Sequence, residues 1–205
     1  MMKRLLIILL ILLFSGSSFA GPGAIKAVIA AKRGAGGSLG GEVGNKSGAT
    51  DDTATPPSYP GNDQGLSGCF AASQSGDISY IHVYQEYSSG TTGQQYNAAI
   101  YTSDGTTLLR DGSLSNEGGT IPGRTSIALD SSYTISQGTT YCLSFGAHNS
   151  PDSWNIGATT ASGINIYIDT TYTVGASMPA SVDVTTVRNS NESLRIWATN
   201  TSDGS

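Results

Sequence analysis

From Gly65 onward apolar and polar residues alternate with a period of two, the mark of half-buried strands. In Gln95–Thr102, Tyr96, Ala98 and Ile100 share one face, against Asn97, Ala99 and Tyr101. The alternation is clearest in Gly163–Asp169, where Ile164, Ile166 and Ile168 lie on one side. Asp104-Gly105 is a dipeptide favoured in tight hairpins because both positions tolerate positive φ. Thr106–Arg110 therefore reads as the returning strand, and Asp111-Gly112 as a second turn. The pattern predicts further strands over Cys69–Ala72, Ile78–Tyr87, Thr125–Leu129, Tyr133–Ile135 and Thr139–Phe145. It also predicts them over Trp154–Ile156, Ile164–Ile168, Val182–Val187 and Leu194–Thr199. Ile78 and Ile81 break parity, which points to a bulge or to a strand covered on both faces. Short strands punctuated by turns, with no amphipathic helix between them, predict an all-β fold over residues 64–205. The expected architecture is an antiparallel two-sheet β-sandwich, jelly-roll-like.

Upstream the pattern changes. Lys3-Arg4 precede an unbroken apolar run, Leu5–Phe14, and Ser18-Phe19-Ala20 supplies small residues around a cleavage point after Ala20. Residues 1–20 thus read as a secretory signal peptide, and the protein is expected to be secreted or extracytoplasmic. The apolar run is half the roughly 20 residues a spanning helix needs, so no stable membrane insertion is expected after cleavage. Residues 21–63, rich in Gly, Ser and Pro and containing Pro56-Pro57 and Pro60-Gly61, read as a flexible arm. Within the arm Ile25, Val28 and Ile29 share a helical face that ends at Gly34, a short helix that needs a docking surface to hold in water.

Charge narrows the choice of partners. Charged residues make up 12% of the chain, about half the usual share, while Ser and Thr number 51. Neutral polar strand faces fit this composition better than salt-bridged helices do. Residues 21–50 carry four basic residues against one acid, and residues 64–205 carry four arginines against eleven acids. An acidic domain repels polyphosphate, so nucleic acid is not an expected partner.

Three segments carry a family resemblance. Ile78–Tyr84 with Asn97–Gly105, Ser136–Phe145 and Ser193–Thr201 follow one another in an order similar to that of jelly-roll accessory domains. These domains are appended to secreted bacterial and phage proteins, of the choice-of-anchor and carbohydrate-binding-module type. Cys142 stands where that pattern often has tryptophan, and Trp197 where it often has tyrosine. The resemblance spans roughly residues 65–201 and implies a non-catalytic binding or structural module, with no ligand named.

Sugar recognition needs aromatic faces beside polar groups that bond hydroxyls. In Leu194–Thr199 the alternation turns Leu194, Ile196 and Ala198 inward and sets Arg195 and Trp197 together on the outer face. Trp154 lies among polar neighbours, and Tyr84, Tyr87 and Tyr96 flank the segment Ser88–Gly93. These six are the candidate binding residues for a glycan or another extracellular surface. For each, burial as a core or edge residue is the competing reading. Cys69 and Cys142 form an even pair in an exported chain and are candidates for one disulfide, with two buried thiols as the alternative. Asp104, Asp111, Asp130 and Asp169 sit at strand ends without a D-x-D run, so turn formation explains them better than a structural calcium, and no cofactor is expected. No H-E-x-x-H or phosphate loop is present, and catalysis is not expected. The rival class is a structural subunit of a surface, fibre or virion that self-associates through residues 21–63.

Overall fold

The computed structural model describes residues 40–46, 65–90, 95–115, 119–120, 123–148, 154–169 and 177–204; for 86–90, 119–120, 147–148 and 154–155 it describes the backbone alone. The signal peptide, the segment 24–34 and most of the arm lie outside the described residues. Twelve strands occur among them: β1 (Val43–Gly44), β2 (Gly65–Ala71), β3 (Gly76–Gly90), β4 (Gln95–Thr102), β5 (Leu108–Ser115) and β6 (Gly119–Thr120). There follow β7 (Gly123–Ile135), β8 (Thr140–His148), β9 (Trp154–Ile156), β10 (Ala158–Asp169), β11 (Val187–Leu194) and β12 (Ile196–Thr199).

They form two antiparallel sheets, the expected β-sandwich. The first is organised on β3. β7 runs along one edge of it, and β12 and then β9 share the other, with β1 outside β12 and β6 reached at Ser89–Gly90. The second sheet has the order β11-β10-β2-β8-β4-β5. Most connections cross from one sheet to the other. Between the sheets Ile81, Val83, Ile127 and Ile196 meet Leu66, Tyr96, Ile100, Leu143, Phe145 and Ile166 in one core. The parity break resolves as a bulge: the β3–β7 register shifts between Ile78 and Tyr80, which puts Ile78 and Ile81 in the same core.

Four expectations need correction. Residues 40–46, assigned to the flexible arm, belong to the sandwich. Val43 packs in the core, Gly44 pairs with Trp197, and Asn45 donates to Thr159 Oγ1 at 2.7 Å and Ser193 Oγ at 3.0 Å. Gly44 has φ of 115°, and a Cβ there would sit 2.3 Å from the Ile196 carbonyl oxygen, so only glycine lets this strand close on β12. Asp111-Gly112 is not a turn but lies inside β5, opposite Ala99 and Ala98. There a Cβ on Gly112 would lie 2.0 Å from the Ala128 carbonyl oxygen, so the glycine serves close backbone approach.

Residues 182–186 are not a strand. Asp183 Oδ1 accepts from the backbone N–H groups of Thr185 and Thr186, local bonds that compete with a sheet ladder. The segment instead covers the outer side of β4, where Ala99, Tyr101 and Cys142 pack with Met178 and Val182 in a second cluster. Finally, Leu194–Thr199 is two strands. Leu194 pairs with Ala158 in one sheet and Ile196 with Val83 in the other, so the chain changes sheets at Arg195.

Cys69 and Cys142 are directly opposite each other on the paired strands β2 and β8 and are joined by a disulfide, with Cα atoms 3.9 Å apart.

Candidate binding site on the outer face

Period-two alternation sets the site. With Ile81 and Val83 in the core, Tyr80, His82 and Tyr84 of β3 face outward. Register places Trp197 and Ser126 on either side of His82, and Arg124 beside Tyr84. Arg195 joins them at the junction of β11 and β12. Its backbone is fixed by two bonds, Arg195 N–H to the Gly157 carbonyl at 2.8 Å and Tyr84 N–H to the Arg195 carbonyl at 3.0 Å. Its side chain crosses Gly157, where a Cβ would meet Arg195 Cδ at 2.9 Å, and its guanidinium stacks 3.8 Å from the centre of the Tyr84 ring.

The C-terminal turn closes over this face. Four successive backbone carbonyls lie within hydrogen-bond reach of side chains from two strands: Thr201 of Thr199, Ser202 of Ser126, Asp203 of Arg124 and Gly204 of Trp197. Trp197 therefore lies on the outer face yet is only 7% exposed, its ring 5.2 Å from that of His82. Beside the turn a cleft of about 360 Å³ remains, lined by Lys46, Tyr84, Arg124, Arg195, Trp197, Asp203 and Gly204.

His82 is the buried polar centre of this face. Nδ1 lies 2.9 Å from Ser126 Oγ and Nε2 3.0 Å from Thr199 Oγ1. Burial, aided by the nearby Arg124 charge, lowers its pKa from 6.5 to about 4, so the ring is neutral at pH 7. The neutral ring donates to one of these hydroxyls and accepts from the other, and each ring nitrogen meets a hydroxyl rather than a carboxylate. These bonds tie the C-terminal turn down and do not reproduce the base-orienting acid of a nucleophilic triad.

A stability prediction follows from this ring. The folded pKa lies below the unfolded value, so the unfolded chain takes up the proton first. The stabilisation is fully present above pH 6.5, is lost between 6.5 and about 4, and changes no further below that. The full linkage is about 3 kcal/mol, and screening by solvent beyond the thin cover of the C-terminal turn leaves roughly 1–2 kcal/mol. Urea unfolding at pH 7 and pH 4.5 should show that loss in the wild type, and His82→Gln should flatten it. An equal loss in both would assign the pH response elsewhere. Asp183 is held down to about 2 chiefly by the Thr185 hydroxyl, and Asp104 is lowered chiefly by the Thr102 hydroxyl, so their effects fall below this window.

Of the six residues expected to bind, the structure brings three together: Tyr84, Arg195 and Trp197. Tyr96 is a correction. It is fully buried between the sheets against Phe145, because β4 has β8 and β5 on its two sides and turns Tyr96 inward. The side chains of Tyr87 and Trp154 lie outside the described residues, though their backbones pair β3 with β9. Sequence reasoning missed Lys46, Arg124 and His82. The i, i+2 pattern of Tyr80, His82 and Tyr84 marks the outward face, but register, which brings Arg124 beside it, has no local signal. The four acids weighed for calcium hold backbone or side-chain donors: Asp104 those of Thr102 and Thr106, Asp111 that of Met178, Asp130 that of Ser131, and Asp169 that of Asp183. Comparison with known proteins gives no match to a family model and none to a curated protein.

Proposed function

We propose that the protein is an exported, non-catalytic β-sandwich module that binds glycan on an extracellular surface, in the manner of the accessory domains it resembles. The observation that supports this reading is the convergence of Tyr84, Arg195 and Trp197 on one outer-face cleft. An aromatic wall beside guanidinium donors suits a sugar, whose C–H groups pack on rings while its hydroxyls take hydrogen bonds. Strands position Tyr84 and Trp197, backbone bonds at the β11–β12 junction position Arg195, and such a preformed cleft avoids the cost of ordering a loop on binding. A glycan array followed by titration calorimetry on the chain from Gly21 tests the reading. At least one polysaccharide should bind, with Tyr84→Ala weakening it about tenfold while the fold is retained. Absence of binding to every polysaccharide up to millimolar concentration would remove the glycan reading.

A further inference from the structure

The outer face holds a charge to which no described residue supplies a counter-ion. Arg195 is 3% exposed, and its guanidinium gives its flat face to Tyr84. Stacking leaves the in-plane N–H edge of the group for a hydrogen-bond acceptor. Among the described residues no carboxylate and no acceptor meets that edge, and Arg195 lines the cleft. Buried charges are ordinarily paired, so a cleft built around an unpaired guanidinium is complementary to an anion.

The rest of the lining agrees. Lys46 and Arg124 add two positive charges, and Asp203 supplies the one negative charge among the described lining residues. Arg124 spends a donor on the Asp203 backbone carbonyl, which leaves its charge in place. His82, packed on Trp197, is neutral at pH 7 and does not alter the balance. This excess of positive charge stands in a chain whose net charge is −5, so it is a local property of the cleft. Gly157 is part of the same construction, since a side chain there would displace Arg195 from its place over Tyr84.

Resting on the glycan reading above, we infer that the cleft takes an acidic sugar, its carboxylate received by the in-plane edge of Arg195 and its ring set against Tyr84. The planar fork of a guanidinium matches a carboxylate with two parallel N–H···O bonds. A sulfate ester shares the charge but not the planarity. Lys46 and Arg124 add longer-range attraction that salt screens.

The test uses the chain from Gly21 with three oligosaccharides of equal length: an oligogalacturonate, the same oligomer reduced at its carboxyls, and a sulfated oligomer of the reduced form. Calorimetry at 50 mM salt should show the carboxylated oligomer binding at least tenfold tighter than the neutral one and tighter than the sulfated one. Arg195→Lys keeps the charge and loses the fork, and should cost at least tenfold for the carboxylated oligomer and little for the neutral one. Arg124→Gln, an exposed change, should weaken the carboxylated oligomer severalfold with only a small loss of melting temperature from the bond to the Asp203 carbonyl. Equal binding of the carboxylated and neutral oligomers overturns the acidic-sugar assignment and leaves the glycan reading standing. So does wild-type affinity in both variants. Preference for the sulfated oligomer overturns the carboxylate assignment. Binding of acetate with no galacturonate, oligomer or polysaccharide retained keeps the anion site and sinks the glycan reading.

Discussion

Replacing Tyr96 by alanine is expected to destabilise the domain by roughly 3–5 kcal/mol, the cost of emptying an aromatic-sized volume in a packed core. Tyr96 is fully buried, and its ring stacks on Phe145 with centroids 5.7 Å apart and planes 22° from parallel. Both residues lie in the core cluster that joins the two sheets, so the cavity would open at the centre of the sandwich, where β4 and β8 are held on both sides and have little freedom to collapse. The same tyrosine in an exposed aromatic rim would make alanine nearly neutral for stability and costly for binding. Urea denaturation separates the two. A midpoint unchanged within error would return Tyr96 to the surface, and a large loss with unaltered ligand affinity in the folded protein would fix it as a core residue.

Tyr96 also shows what alternation can and cannot decide. The period of two along Gln95–Thr102 correctly separates the Tyr96, Ala98 and Ile100 face from the Ala99 and Tyr101 face. It does not say that both faces are covered, because the cover on the second is the segment around Met178 and Val182, distant in sequence. The opposite failure occurs at β11. Its sequence, VRNSNESL, has no apolar stripe because it is an edge strand with one face largely in solvent, and polar edges are how sheets avoid pairing with strangers. The apolar residues just before it, Val182 and Val184, resemble a strand more than β11 does, yet Asp183 folds them into a turn. β1 carries two residues and takes its place from backbone pairing and from Gly44, neither of which composition reports.

The candidate site was legible to the extent that it depends on one short segment of the chain. Arg195 and Trp197 share the outer face as their spacing predicts, and both line the same cleft. The remainder depends on pairings between strands 40 to 150 residues apart. Lys46 arrives with β1, Arg124 with β7, and Tyr84 through the knot of backbone bonds that links it to Gly157 and Arg195. The break at Arg195 is the physical reason this residue differs from an ordinary outward strand side chain. Where the chain leaves one sheet for the other, its backbone bonds go to Gly157 and Tyr84, and the side chain lies flat over them rather than standing out into solvent.

Loss of the Cys69–Cys142 bridge is the other large effect expected. The two cysteines are opposite partners on adjacent strands, so in the folded state the bridge duplicates a connection that the β2–β8 ladder already makes from Gly65 to Ala71. Its contribution therefore falls mainly on the unfolded chain, where it closes a loop between residues 73 apart. The chain-entropy model gives about 4 kcal/mol for such a loop, and measured values often fall below the model. For a domain of this size the melting temperature should drop by roughly 10 °C on reduction. Cys142 is fully buried against Ala99, Tyr101 and Met178, so the double variant Cys69→Ala/Cys142→Ala also removes some packing and should melt no higher than the reduced protein. Alkylation in denaturant without reductant should label no cysteine, and after reduction it should label two. Two labels before reduction would mean that the chain folds with free thiols, and the reductant would then leave the melting temperature where it was.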